Sequence, residues 1–320
     1  MKPSGNHQPS IRRIPLLQFR LLQSRLLQSA LLQSAALGIG LALAAVAQAQ
    51  SFTGPQSSQP PYIVPSAPGW EVTALISAGD RTRDGAYRMV GIPDGMGALP
   101  GRFAESGEYL DDKAYLTVFL NHELAAGAGA VRAHGQSGAF VSQWTLRLDG
   151  MEVIHGQDLI TRVMTWDKNG YADSTGRTRF NRFCSADLPA RTAFFNPRGG
   201  KGFNGRIYLN GEEAGADGRA FAPLLSGREK GTSYELPWLG RFSWENAVAH
   251  PDAGDKTLVV GLDDASPGQV YVYVGDKRRA GNAIERAGLQ GGRLYGIKVT
   301  RAGGEYGGAA APREDKGPID

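Results

Sequence analysis

The sequence predicts an all-β protein, a β-propeller built from four-stranded antiparallel blades, and three observations lead there. Glycine fills 44 of 320 positions and proline 18, without a G-X-Y period, as expected for many tight turns between short strands. The apolar runs are rich in Val, Ile, Tyr, Phe and Trp, which argues against a helical bundle. A short apolar run followed by Asn or Asp and then an acid also recurs, in AYLTVFLNHE (114–123), RIYLNGEE (206–213) and TLVVGLDD (257–264). Such a run reads as a buried strand that delivers carboxylates to its rim.

The first 49 residues read as an export signal. Residues 11–35 are rich in Leu and Arg with a repeated LLQS, and LGIGLALAAVAQAQ (37–50) supplies a hydrophobic region ending in Ala47-Gln48-Ala49, a small-x-small cleavage site. The expectation is an exported protein, periplasmic or secreted, whose mature chain starts near Gln50; a membrane anchor or an overextended gene start are the alternatives. Arg12 and Arg13 make only a weak twin-arginine signal, because Pro15 and a long spacer follow.

The net charge of +4 is a property of this segment. Its five basic and no acidic residues leave 30 basic against 31 acidic side chains in the rest. With no basic run interleaved with aromatics, the composition gives nucleic-acid binding little support. No later apolar run reaches the roughly 20 residues that span a bilayer.

Residues 50–69 are Pro- and Ser-rich and read as an unstructured lead-in. The propeller is expected over 70–300. WEVTALISA (70–78) is its first strand, and residues 79–101, with Asp84-Gly85 and Asp94-Gly95, read as an open loop. AYLTVFLNHE and FVSQWTLRL (140–148) are strands; 151–180 offers another strand or a short helix, and NRFCSADLPARTAFFN (181–196) matches neither period. The clearest unit lies between 241 and 299, where FSWENAVAHP, TLVVGLDD, QVYVYVG and GRLYGIKVT form four antiparallel strands of one blade. The segment 301–320 is loop-like and supplies no closing strand. An incomplete ring, or a truncated continuation beyond the tail, is therefore an open alternative.

The acidic strand ends are the candidate site. With a turn at 251–255, Glu245 falls nearly opposite Gly261, and Asp263 and Asp264 come to the same end of the sheet. Clustered carboxylates repel one another and lose hydration, a conflict that a bound cation removes. Glu212 and Glu213 face opposite ways along their strand, so one is a ligand and the other braces a neighbour or holds a second ion. Asn121 and Glu123 point to one side, with His122 opposed. Oxygen-rich sets suit Ca²⁺, Mg²⁺ or Mn²⁺, and adding a thiolate such as Cys184 favours iron or zinc at one position. The bland reading is solvated turn acids beside packed histidines. Cys184, the single cysteine, is a buried thiol, an intermolecular bridge or a metal ligand. No G-x-S-x-G elbow, H-E-x-x-H motif, P-loop or dinucleotide fingerprint is present.

In their order, AYLTVFLNHE, RFCSADLP, GRIYLNGEE, FSWENAVAHPD, TLVVGLDD and GRLYGIKV resemble segments of the PhoX-type alkaline phosphatase family, exported bacterial propellers that hydrolyse phosphomonoesters. The resemblance implies a calcium and iron (Ca²⁺ and Fe³⁺) cluster at the propeller axis. It makes Cys184 the iron-binding thiolate, Glu123, Glu213 and Glu245 axial carboxylates, and Asp263 or Asp264 part of the calcium shell. Asn121 or Arg182 would contact phosphate. The chain departs from the family in being considerably shorter, without the later blades and their acidic and arginine positions. The implied activity is metal-dependent hydrolysis of a small phosphomonoester by a monomer outside the cytoplasm. The alternatives are a non-catalytic exported propeller stitched by metal, and an inactive fragment of a longer phosphatase.

Overall fold

The computed structural model describes residues 49–104 and 106–297. The signal segment, Glu105, the end of the last expected strand and the tail 301–320 lie outside the described residues. The chain divides into two units, one of Met1–Ala49 with Ser66–Trp70 and one of Gln50–Pro65 with Glu71 onward. The account below concerns the second.

Strand content is 44% and helix 6%, so the protein is all-β. Where an unstructured lead-in is expected, β1 (Gln50–Gln56) instead pairs in parallel with β2 (Glu71–Ile76). β3 (Pro93–Pro100) is a second correction, because the expected open loop is the edge strand of a sheet. After the short hairpin of β4 (Arg102–Phe103) and β5 (Tyr109–Leu110) come β6 (Tyr115–His122), β7 (Phe140–Arg147) and β8 (Glu152–Asp158). They complete an antiparallel sheet of order β3-β6-β7-β8.

β9 (Arg162–Asp167) and β10 (Gly170–Asp173) form a hairpin, followed by β11 (Phe183–Asp187). After the small ladder of β12 (Phe195–Asn196) and β13 (Lys201–Gly202), β14 (Leu209–Glu212), β15 (Ala220–Pro223) and β16 (Thr232–Glu235) extend the sheet that β11 begins. β16 pairs in parallel with β9, giving the order β10-β9-β16-β15-β14-β11. The third sheet, β17 (Trp244–Ala249), β18 (Lys256–Asp263), β19 (Val270–Asp276) and β20 (Arg293–Gly296), runs in sequence order. Its four strands are those read from 241–299. A short helix α1 (Ala283–Ala287) interrupts it, closed by a capping box between Asn282 and Glu285 and ended by Gly288 at φ 73°. No sheet closes on itself among the described residues, and no helix among them is long and apolar enough to cross a membrane.

Apolar side chains lie between successive sheets. Phe119 and Val141 of the first meet Phe183, Tyr208 and Phe221 of the second. Ala222, Tyr234 and Leu236 of the second meet Trp244, Val259 and Tyr273 of the third. Edge strands of the three sheets are thereby brought together, since β11 packs against both β3 and β17.

Glycine sets how closely they approach. A Cβ on Gly95 would lie 2.3 Å from the Ala186 nitrogen, and one on Gly97 2.3 Å from Leu188 Cβ. β3 can therefore lie directly on β11 only without side chains there. Likewise a Cβ on Gly211 would lie 2.4 Å from Trp244 Cβ, so β14 meets β17 at a glycine.

Candidate metal centre

Ladder irregularities occur where the three edge strands β3, β11 and β17 converge. The β3–β6 register shifts between Pro93 and Met96, β11–β14 between Phe183 and Ala186, and β17–β18 between Trp244 and Asn246. Asp94, Cys184 and Glu245 sit in these three intervals. A bulge puts an extra residue out of alternation and re-aims its side chain, and here three bulges turn an acid, a thiol and an acid toward one another. Glu245 is therefore not opposite Gly261, whose partner is Ala247. Glu123 and Glu213 lie one residue beyond the ends of β6 and β14.

The result is two overlapping groups, Asp94 with Glu123 and Cys184, and Cys184 with Glu213 and Glu245. In each, one ligand atom per residue lies within 4.8 Å of the others. The Cys184 thiol donates to Glu245 Oε2 at 2.9 Å and has Asp94 Oδ2 at 3.4 Å, while Ser185 Oγ donates to Glu245 Oε1 at 3.1 Å. The arrangement strains its own charges. Burial raises the Asp94 carboxyl above the usual range, and the charges of Glu123 and Glu245 add to the rise against the Cys184 hydrogen bond. Burial likewise raises Glu213, with Glu123 adding and Arg182 opposing. Cys184 is pushed far above the usual thiol range by burial and by its acceptor Glu245.

Among the described residues, Arg182 is the cation paired with this cluster. It precedes β11 in the left-handed region, φ 47°, its amide donates to Leu124 O and its carbonyl accepts from Glu213 N, both at 2.9 Å. Its guanidinium pairs with Glu123 at 2.9 Å and with Glu213. It remains 45% exposed, so it stands at the rim.

Two expected site residues have other tasks. Asn121 is fully buried; its amide donates to Cys184 O at 2.6 Å and its oxygen accepts from Asn210 at 3.2 Å. It ties β6 to the backbone that carries the thiol rather than facing a substrate. Glu212 is the bracing member of its pair. Arg219 grips both its oxygens at 2.7 and 2.8 Å, and the Asn181 amide donates to it at 3.1 Å. With its lone pairs so engaged in the interior, it is not available as a ligand. Asp263 and Asp264 fall outside both groups. Asp263 sits opposite Trp244 across the β17–β18 ladder, and Asp264 is exposed, its charge reaching Glu213 only as one contribution to that group's raised pKa. His122 is a packing residue, stacked on Phe140 at 4.1 Å and bonded to Val90 O and Ser142 Oγ. Asp94 is the ligand candidate that sequence reasoning missed; the signal was an acid followed by glycine, which reads as a turn until Gly95 is seen against β11.

The donor set suits cations. Four carboxylates meet the hard-ion preference for oxygen, and a single thiol at the shared vertex adds the soft donor that favours iron or zinc at one position. In comparisons with protein-family models, curated proteins and solved structures, nothing matches the chain.

Proposed function

We propose that the protein is a metal-dependent phosphomonoester hydrolase of the PhoX type, acting on small phosphomonoesters outside the cytoplasm. The observation that carries this reading is the convergence of Asp94, Glu123, Cys184, Glu213 and Glu245 from three sheets on one cluster with a single thiol vertex. The topology supports the propeller reading. Three antiparallel runs of four strands, β3-β6-β7-β8, β11-β14-β15-β16 and β17-β18-β19-β20, follow in chain order, the middle one extended by β9 and β10 into a six-stranded sheet. Each starts with the strand that bears a bulged donor, as innermost strands of successive blades would.

Cys184 with Glu245 and Asp94 would hold an iron ion, and Glu123 and Glu213 a calcium ion beside it. When bound, such ions supply charge neutralisation of the phosphate and Lewis-acid polarisation of its oxygens. The chain's own contribution is positional. Asn121 fixes the Cys184 carbonyl, Ser185 orients the Glu245 carboxylate, and Glu123 and Glu213 hold the Arg182 guanidinium at the rim, where its planar fork suits a phosphate oxygen pair.

The test is release of phosphate from an aryl phosphate by the purified chain supplied with Ca²⁺ and Fe³⁺. Turnover should fall at least a hundredfold in the Cys184→Ala/Glu245→Gln double variant, and turnover unchanged by it would refute the assignment. A second reading, a non-catalytic propeller in which metal stitches strands together, is favoured by the engagement of Asn121 with backbone and of Arg182 with two carboxylates. Metal-dependent thermal stability with turnover no greater than a metal-only blank would select it.

A further inference from the structure

A second charged site of opposite sign lies at the far end of β3. Leu99 is five residues from Asp94, roughly 15 Å along the strand, and lines a cavity of about 580 Å³. Three arginines, Arg191, Arg206 and Arg286, share its wall, and no aspartate or glutamate among the described residues does. They come from separate places: the 3₁₀ turn after β11, the run before β14, and α1.

Two of them are held in place. Arg206 donates Nη1 to Pro189 O at 3.2 Å, and its amide donates to Ser226 Oγ at 2.8 Å. The Arg286 guanidinium lies 5.2 Å from the Phe203 ring centroid, and its Nε is buried with no hydrogen-bond partner. The pKa of Arg206 is lowered by burial and then by the charge of Arg191. Guanidiniums gathered with no carboxylate in the described lining, one with an unused buried donor, form a costly arrangement that an anion would relieve. The remaining wall combines Leu99 and the aromatic Phe103, Tyr109 and Phe203 with the polar Asn204 and Ser226. The volume falls within the roughly 300–1,000 Å³ usual for small-molecule pockets.

We propose that this cavity binds an organic phosphate bearing a planar ring, an aryl or nucleoside monophosphate, with the phosphate among Arg191, Arg206 and Arg286 and the ring against Leu99, Phe103 and Phe203. Guanidinium forks match phosphate oxygens in pairs, and the aromatic wall distinguishes such a ligand from inorganic phosphate. The site stands apart from the metal centre and does not rest on the phosphatase reading.

The test is calorimetric titration of the full chain with adenosine monophosphate in the presence of a chelator, which keeps the metal centre out of the measurement. Saturable binding is expected, weakened at least tenfold by Arg286→Gln and by the exposed-site change Arg191→Gln, with the urea midpoint of each variant unchanged. The same affinity should persist in the Cys184→Ala/Glu245→Gln variant. Absence of saturation up to millimolar ligand, or binding untouched by both arginine substitutions, would overturn the proposal. Inorganic phosphate binding as tightly as the nucleotide would overturn its assignment to a ring-bearing ligand.

Discussion

The two ends of β3 make opposite choices. At Asp94 four carboxylates and a thiol gather, two of the carboxylates paired with Arg182, and at Leu99 three arginines line a cavity whose described lining holds no carboxylate. Between these extremes stands Glu212 with Arg219, a buried charge whose partner binds it through two hydrogen bonds. That pair shows how this fold completes a buried charge with its own residues. At both ends of β3 the compensation by the protein's own described residues is partial, and that difference from the Glu212–Arg219 pair is what the proposed cation at one end and the proposed anion at the other would make up.

The largest way to sharpen this comparison is to make the resolved pair resemble the unresolved ends. Arg219→Met should destabilise the fold by about 3–5 kcal/mol in urea denaturation, because it strands Glu212 in the interior. A loss below about 1 kcal/mol would show that buried charge is cheap here and would remove the argument at both ends. Next, Gly95→Ala acts on the acidic end alone. Its Cβ would press into the β11 backbone at 2.3 Å, so a cost of about 1–3 kcal/mol is expected. Iron binding, measured by metal analysis of the dialysed protein, should weaken in the same variant, as Asp94 moves from Cys184.

A smaller effect belongs to the basic end. Lys230 holds its ammonium 3.6 Å from the Phe103 ring centroid, and burial lowers its pKa to about 8. The unfolded chain takes up this proton below the ordinary lysine pKa near ~10.4, whereas the folded chain does so only near 8. Stability should therefore decline as pH falls from that range to 8 and level off below it. Lys230→Met should remove this slope and, after discounting for partial exposure, raise stability at pH 7 by about 1 kcal/mol. The smallest expected change is Arg182→Gln. This half-exposed side chain should alter stability by under about 1 kcal/mol. Calcium binding measured by calorimetry should tighten several-fold, since a competing cation leaves Glu123 and Glu213; weaker binding would make Arg182 part of the site's support.

Much of the third sheet was legible because its strands alternate in burial. TLVVGLDD and QVYVYVG show their period directly, and β18 and β19 pair in continuous register from Lys256–Asp276 to Leu262–Val270. The capped turn α1 carries its signal too, Asn282 with Glu285 before Gly288, but five residues are too few to show a helical period. β3 was illegible for a different reason. PDGMGALP contains two glycines and two prolines, which locally mean turns, and only the backbone of β11 lying against Gly95 and Gly97 makes them strand residues. The centre shared both fates. Glu123 and Glu213 stood out as acids at strand ends, Glu245 as an acid in an apolar strand and Cys184 as the single cysteine, whereas Asp94 was hidden inside the supposed loop.

By itself, then, the sequence determined that the chain is β-rich, that its third sheet runs between 241 and 299, and which carboxylates stand at strand ends, because hydrophobic alternation and residue chemistry are local. Only the tertiary structure decided that Glu212 turns inward to Arg219, that Asn121 serves the backbone of Cys184, and that Asp94 joins the cluster. It alone gathered three arginines around one cavity. Those outcomes depend on bulges and on close strand approach at glycines, which break the two-residue period, and on partners distant in sequence whose positions no local pattern encodes.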